Sequence, residues 1–156
     1  MATLGHGVDI LRNARIRRIL ASKYCDRFVK RILHPQHELP QFQQMAMQTS
    51  KIPSFSEVCN SIDQSSSTVS LLDRKCRLLS STFAAKEALF KSLDAEDQQT
   101  FTFKDWYRVS NSGVAASRVL LNPKYSKING ERFIWSISHD GEYTIGSVIR
   151  TELFSQ

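Results

Sequence analysis

The stretch Phe83-Ala84-Ala85-Lys86-Glu87-Ala88-Leu89-Phe90-Lys91 decides how the rest of the chain is read. Leu72, Cys76, Leu79, Phe83 and Phe90 follow one another at steps of four, three, four and seven. That spacing puts them on one stripe of an α-helix, predicted from about 71 to 93. The stripe skips a step at Lys86-Glu87, and Glu87 stands four residues after Phe83. A carboxylate therefore points toward the edge of the face that should be buried. Such a group must be neutralised, paired or bound to a cation. Lys91, one turn further on, is the simplest partner, and Glu before Lys is the favourable order for a helical pair.

Two other stretches bear on that carboxylate. Gly5-His6-Gly7-Val8-Asp9-Ile10 lies at the start of the chain, and Trp135-Ser136-Ile137-Ser138-His139-Asp140 near its end. Residues 7–11 read as a short buried strand carrying Asp9. Taken alone, Asp9 is a turn or cap residue. His139, after an alternating strand and before a glycine turn, is alone a structural hydrogen-bonding residue.

Asn13 is placed to cap a helix whose apolar edge is Ile16, Ile19 and Leu20. Residues 12–31 hold eight basic side chains and one acidic one, Asp26. A solvated face usually mixes its charges, so this run also suits docking of an acidic partner. Pro35 fits the first turn of another short helix, with His34 near its cap. His34 and His37 lie three apart with no third ligand near, and read as surface histidines. Residues 40–68 include Pro53 and Ser65-Ser66-Ser67 and read as a surface excursion.

Beyond the long helix the pattern turns to strands at 100–103, 106–109, 119–121, 133–138 and 143–150. Turns fall at 110–113, 129–130 and 139–142. One strand, then helices, then several strands imply an α+β fold, with an antiparallel sheet packed on one long helix. With 156 residues, 41% of them hydrophobic, the chain suits a single soluble domain over 1–156. No apolar run approaches the length of a membrane span. The net charge of +6 asks for an acidic or phosphate-rich partner. Cys25, Cys59 and Cys76 are odd in number, lack a C-x-x-C pair and read as reduced thiols with no zinc site. The Gly-Val-Asp stretch begins almost at Met1 and leaves no room for a presequence.

In order, G-V-D-I, F-A-A-K-E-A-L-F-K and S-I-S-H resemble the motifs of the 4'-phosphopantetheinyl transferases. The likeness is to the short holo-acyl-carrier-protein synthase type and runs from about residue 5 to 150. It implies that family's fold and a Mg²⁺-dependent enzyme. Such an enzyme moves the phosphopantetheine arm of coenzyme A onto a serine of an acidic apo acyl carrier protein. It releases adenosine 3',5'-bisphosphate. On the matching positions, Asp9 and Glu87 are the metal carboxylates and, with Lys91, the catalytic set. Mg²⁺ suits one or two carboxylates completed by water and substrate phosphate. Lys91 and His139 are coenzyme phosphate contacts, Ser136 and Ser138 add hydroxyl donors, and Arg74 lies near the nucleotide. Arg15 and Arg18 face the carrier. The proton acceptor is metal-bound water or Glu87.

The same resemblance implies a homotrimer with sites between protomers, and no membrane or nucleic-acid partner. Short members have a briefer connection than 40–68, and often a Gly-rich turn where this chain has Asp94-Ala95-Glu96-Asp97. The inserted segment points to a mitochondrial member, with the cytoplasm as the alternative. Two other readings stay open. One is a small basic nucleic-acid-binding module docking through 12–31, without an RNA-recognition motif, zinc finger or KH loop. The other is a transferase domain cut from a multifunctional fatty-acid synthase, against which the Met start and full motif set weigh.

Overall fold

The computed structural model describes residues 2–47, 70–110, 118–125 and 130–152. The chain opens with a long strand, β1 (Ala2–Arg12), followed by α1 (Asn13–Leu20), α2 (Cys25–Ile32) and α3 (Leu39–Met47). Asn13 does not cap α1 but is its first residue, and its Oδ1 accepts a hydrogen bond from Thr144 Oγ1 at 2.8 Å. Pro35 sits in the turn ahead of α3, where His34 Nδ1 accepts from Gln36 N at 3.2 Å. The excursion expected at 40–68 begins inside α3, and its residues 48–68 lie outside the described residues.

The long helix is α4 (Leu71–Ser92). Ser70 caps it, its Oγ accepting from Asp73 N at 3.1 Å. Next come α5 (Ala95–Thr100) and a 3₁₀ turn, Phe103–Asp105. The alternation at 100–103 is therefore not a strand. Phe101 and Phe103 both turn inward, Phe101 against Phe90 and Trp106, Phe103 against Phe83. Four strands complete the fold: β2 (Tyr107–Ser110), β3 (Arg118–Leu121), β4 (Glu131–Asp140) and β5 (Tyr143–Glu152). The turns expected at 110–113 and 129–130 fall mostly outside the described residues.

The sheet is antiparallel in the order β1-β5-β4-β3-β2, and α4 lies across β1 and β5. Two glycines allow that approach. A Cβ on Gly7 would stand 1.9 Å from the Ala88 carbonyl oxygen, and one on Gly146 2.5 Å from that of Ala84. Any side chain there would lift the helix off the sheet. Small residues on one side and none on the other thus bring the middle of α4 down onto the strand that carries Asp9.

One part of the core lies between α4 and the first helices, around Ile16, Val29, Ile32, Leu79 and Phe83. The other lies between α4 and the sheet, around Leu89, Trp106, Phe133 and Val148. Leu72 is 44% exposed, so the apolar stripe of α4 starts at Cys76. Lys86 is wholly buried, and its Nζ donates to Glu38 Oε2 at 2.6 Å and to the Ile32 carbonyl at 2.7 Å. Burial pulls this ammonium down to about 8 against the opposing pull of Glu38. Past α4, buried Arg150 pairs with Glu131 and with Asp94 at 2.9 Å, anchoring the turn into α5. The far face of the sheet is open. Val8, Ile10, Ile134, Tyr143, Ile145 and Ile149 are all exposed there. Among the described residues no helix is long and apolar enough to cross a membrane.

Candidate active site

Strand alternation puts Gly7, Asp9 and Leu11 on the side of β1 that faces α4. Asp9 pairs across the sheet with Gly146, which also lies tight under the helix. Lys91, in the last turn of α4, reaches back to β1. Its Nζ donates to Asp9 Oδ1 at 2.7 Å and to the Val8 carbonyl at 3.0 Å. The simple helical pair of Lys91 with Glu87 is therefore not what forms. Lys91 answers the strand carboxylate instead. Glu87 is left partly buried, with its carboxyl held above the ordinary range. Burial is the main cause and the charge of Asp9 the second, while Lys91 and Arg15 pull the other way. Two carboxylates close enough to repel thus share one ammonium.

Arg15 closes this corner from α1. Its guanidinium lies over the Phe83 ring at 5.6 Å and its charge reaches Glu87. It belongs as much to the site as to the basic surface. Arg18 lies one turn on, exposed, with no ion pair among the described residues.

A second group of polar residues gathers around the first half of α4. His139, on β4, has Nε2 at 3.3 Å from Ser81 Oγ and Nδ1 at 3.0 Å from Thr144 Oγ1. Thr144 donates on to Asn13, which assigns the Nδ1 proton of His139 to the Thr144 oxygen. Burial, and then the charge of Arg77, hold the imidazole below its ordinary range. A recess of about 280 Å³ opens here, lined by Arg74, Arg77, Ser81, Arg108 and His139. Sequence reading found Arg74 and His139 but not Arg77, Ser81 or Arg108. The recess runs along α4 from Arg74 to Ser81, so its near edge is six residues of helix, about 9 Å, from Glu87.

Ser136 and Ser138 join neither group within this chain. Gly146 faces α4, so Ser147 faces away, and Ser136 pairs with Ser147 while Ser138 pairs with Ile145. Both hydroxyls stand on the open face of the sheet, opposite to His139. Strand parity thus sets them apart from His139 within this chain.

The family model for the 4'-phosphopantetheinyl transferase superfamily matches residues 5–146. No curated protein matches the sequence. Among solved structures, the holo-acyl-carrier-protein synthase of Neisseria meningitidis is similar at a TM-score of 0.61 and 19% identity. That match covers 97% of this chain and 100% of the other. The holo-acyl-carrier-protein synthase of Bacillus anthracis, in complex with CoA (3',5'-ADP), matches at 0.59 and 20%, covering 97% and 98%. The holo-ACP-synthase of Plasmodium yoelii matches at 0.58 and 18%, covering 98% of each chain. At these identities the likeness speaks for the fold. The family match spans both the Asp9 strand and the helix of Glu87 and Lys91, and the chain belongs to the 4'-phosphopantetheinyl transferase superfamily.

Proposed function

We propose that this chain transfers the 4'-phosphopantetheine arm of coenzyme A to a serine hydroxyl of an apo acyl carrier protein. The observation that carries the reading is the corner where Asp9, Glu87, Lys91 and Arg15 meet, beside an arginine-rich helix. The serine oxygen attacks the phosphorus bearing the pantetheine arm. The bond from that phosphorus to the bridging oxygen breaks, and adenosine 3',5'-bisphosphate leaves. Structural relatives bound to coenzyme A, from Bacillus anthracis and Helicobacter pylori, support that choice of donor.

Asp9 and Glu87 fit a Mg²⁺ ion, because they are hard oxygen donors and burial and the charge of Asp9 already make Glu87 costly to ionise. Among the described residues no third His, Cys, Asp or Glu joins them. That suits an ion which completes its shell with water and substrate phosphate. When bound, it polarises phosphoryl oxygens and offsets charge on the leaving group. Lys91 holds the Asp9 carboxylate until a phosphate competes for its ammonium. From there it neutralises charge as the P–O bond breaks.

Arg15 and Arg18 supply the docking surface for an acidic carrier. Charge-complementary docking mainly raises the association rate and is screened by salt over about 8–10 Å. Arg15→Glu with Arg18→Glu should raise the KM for the carrier strongly and flatten its salt dependence. An unchanged rate at low salt and subsaturating carrier would move the docking surface elsewhere.

A second copy of the chain is proposed to cover the open sheet face, which exposes six apolar residues. Ile145→Asp should shift sedimentation toward the monomer. The mitochondrion, rather than the cytoplasm, is the proposed location, on the family resemblance alone; fractionation of cells making the tagged full-length protein tests it. The transfer itself is tested by incubating the protein with coenzyme A, Mg²⁺ and an apo carrier, then weighing the carrier by mass spectrometry. A carrier heavier by one phosphopantetheine is expected. An unmodified carrier, with no binding of coenzyme A by calorimetry, overturns the reading.

A further inference from the structure

The open face of the sheet has a polar centre. Val8, Ser147 and Ser136 stand side by side across β1, β5 and β4. On one side of that row come His6, Ile149 and Ile134, and on the other Ile10, Ile145 and Ser138. His6 reaches across to the central row, its Nε2 lying 3.1 Å from Ser147 Oγ. His6, Ser136 and Ser138 are exposed, and Ser147 is half-buried. An imidazole and the hydroxyls of Ser136, Ser138 and Ser147 thus sit among exposed Val8, Ile10, Ile134, Ile145 and Ile149.

This composition selects the occupant. The chain carries a net charge of +6, yet the charged groups of this face stand only at its ends. Arg132 lies on β4 one row beyond Ile134. Arg12, Asp140 and Glu142 gather around Tyr143 at the other end, with Arg12 paired to Glu142 at 3.0 Å. An acidic carrier finds no run of cations here to answer. Hydrocarbon would leave the imidazole and the hydroxyls without partners. A second copy brings the same groups back. Around a symmetry axis a residue meets its own copy. A hydroxyl or a neutral imidazole is both donor and acceptor, so it can bond to its like. A charged imidazole is donor only, and it meets an equal charge.

We infer that His6, Ser147 and Ser136 form the polar centre of a self-association face, and that the proton on His6 controls the association. This rests on the reading that a second copy covers the sheet. With His6 neutral, its ring and Ser147 share a hydrogen bond and the face can close. With His6 protonated, closure buries a cation far from any carboxylate of this face. Asp140 and Glu142 lie at the Tyr143 end, six strand residues from the His6 row, about 20 Å. Glu131 and Glu152 pair with each other on the inner side, where Glu131 holds Arg150. The assembled state therefore binds fewer protons than the separate chains. Association is full at the alkaline end and weakens as pH falls through the range in which imidazoles change charge.

Sedimentation velocity from about pH 5.5 to 8 on the wild type, His6→Gln and His6→Lys tests this, with circular dichroism at each pH. The wild type should be assembled at the alkaline end. Its association constant should fall on acidification by up to about tenfold per pH unit for each His6 buried. His6→Gln keeps a donor and an acceptor and gains no proton, so it should stay assembled throughout. His6→Lys, charged throughout, should be a folded monomer throughout. A wild type whose assembly ignores pH overturns the inference alone. So does a His6→Gln protein that dissociates at the same pH as the wild type, because another group or loss of fold is then responsible. A wild type that is monomeric at every pH removes the second copy and the inference with it. If that monomer floats with phosphatidylcholine vesicles, a membrane is the occupant instead.

Discussion

The two ends of α4 treat charge in opposite ways. At its C-terminal end the charges answer one another: Lys91 sits on Asp9, and Arg15 and Lys91 offset Glu87. At its N-terminal half Arg74 and Arg77 have no carboxylate partner among the described residues, and Arg108 shares one with Lys86. The first end is nearly balanced but strained, because two acids share too little positive charge. The second is plainly in excess. A cation relieves the one and an anion the other. A ligand that carries phosphates and brings a divalent ion with it is suited to both.

The contrast breaks most completely at the carboxylates. Asp9→Ala and Glu87→Ala should each lower transfer on the order of 10²–10³-fold or more, as loss of a group that stabilises developing charge does. Circular dichroism should find both variants folded, since neither residue is part of the apolar core. Near-normal turnover by either variant at limiting Mg²⁺ would remove it from the metal assignment.

Glu38 joins the two ends, because it holds Lys86, the neighbour of Glu87, and steadies Arg108. Glu38→Ala strands two cations at a buried carboxylate site. Breaking such a pair from one side costs about 3–5 kcal/mol, so thermal or urea denaturation should find this variant severely weakened. Replacing Lys86 and Glu38 together by Met should recover only part of the loss, because Arg108 and the amides of His34 and Arg108 still lose their acceptor. A Glu38→Ala protein as stable as the wild type would mean the buried network is not what fixes this corner.

Lys91→Ala removes one charge-assisted contact, worth about 1.5–3 kcal/mol, so coenzyme affinity, turnover or both should fall at least about tenfold. The effect should be smaller in an Asp9→Asn background, where the ammonium has lost its resting partner. No change in calorimetry or kinetics would leave Lys91 as a latch between β1 and α4 and nothing more.

Much of the first end could be read from the sequence, and little of the second. Glu87 announced itself as an acid on the wrong edge of an apolar stripe, four residues from Phe83. Lys91 followed from helical spacing, although its partner proved to be Asp9, because the glycines of β1 and β5 let the strand come nearer than the next helical turn. Arg77 and Ser81 stand three and seven residues after Arg74, so the helical face that Arg74 opens was a signal that went unused. Arg108 had no local signal. Its meaning comes from Glu38, seventy residues earlier, and from a strand whose register no pattern of four residues specifies. Ser136 and Ser138 stand on the other face of β4 from His139, which strand parity alone makes legible. The strand expected at 100–103 failed because two aromatic residues two apart can both turn inward in a tight loop, where alternation has no sheet behind it.

The smallest expected effect tests the strain at the balanced end. Glu87 has its carboxyl held above the ordinary range by burial and by Asp9. The folded chain therefore binds that proton more tightly than the unfolded one. Its stabilising influence is full below the ordinary carboxylate range and is lost as pH rises through the raised value. At neutral pH, without a divalent ion, the ionised carboxylate should thus work against the fold. Glu87→Gln keeps the shape and removes the charge, so it should melt higher than the wild type by about 1–3 °C at pH 7–8. The gap should close as pH falls and the wild-type carboxyl takes up its proton. Adding Mg²⁺ should raise the wild-type melting temperature and leave the variant nearly unmoved, because only the wild type presents two carboxylates. The variant should at the same time lose transfer activity, which would make Glu87 a residue kept for chemistry at a cost in stability. A Glu87→Gln protein that melts lower than the wild type at neutral pH would mean that Lys91 and Arg15 already satisfy this carboxylate, and that the corner is an ion-pair network with no call for a cation.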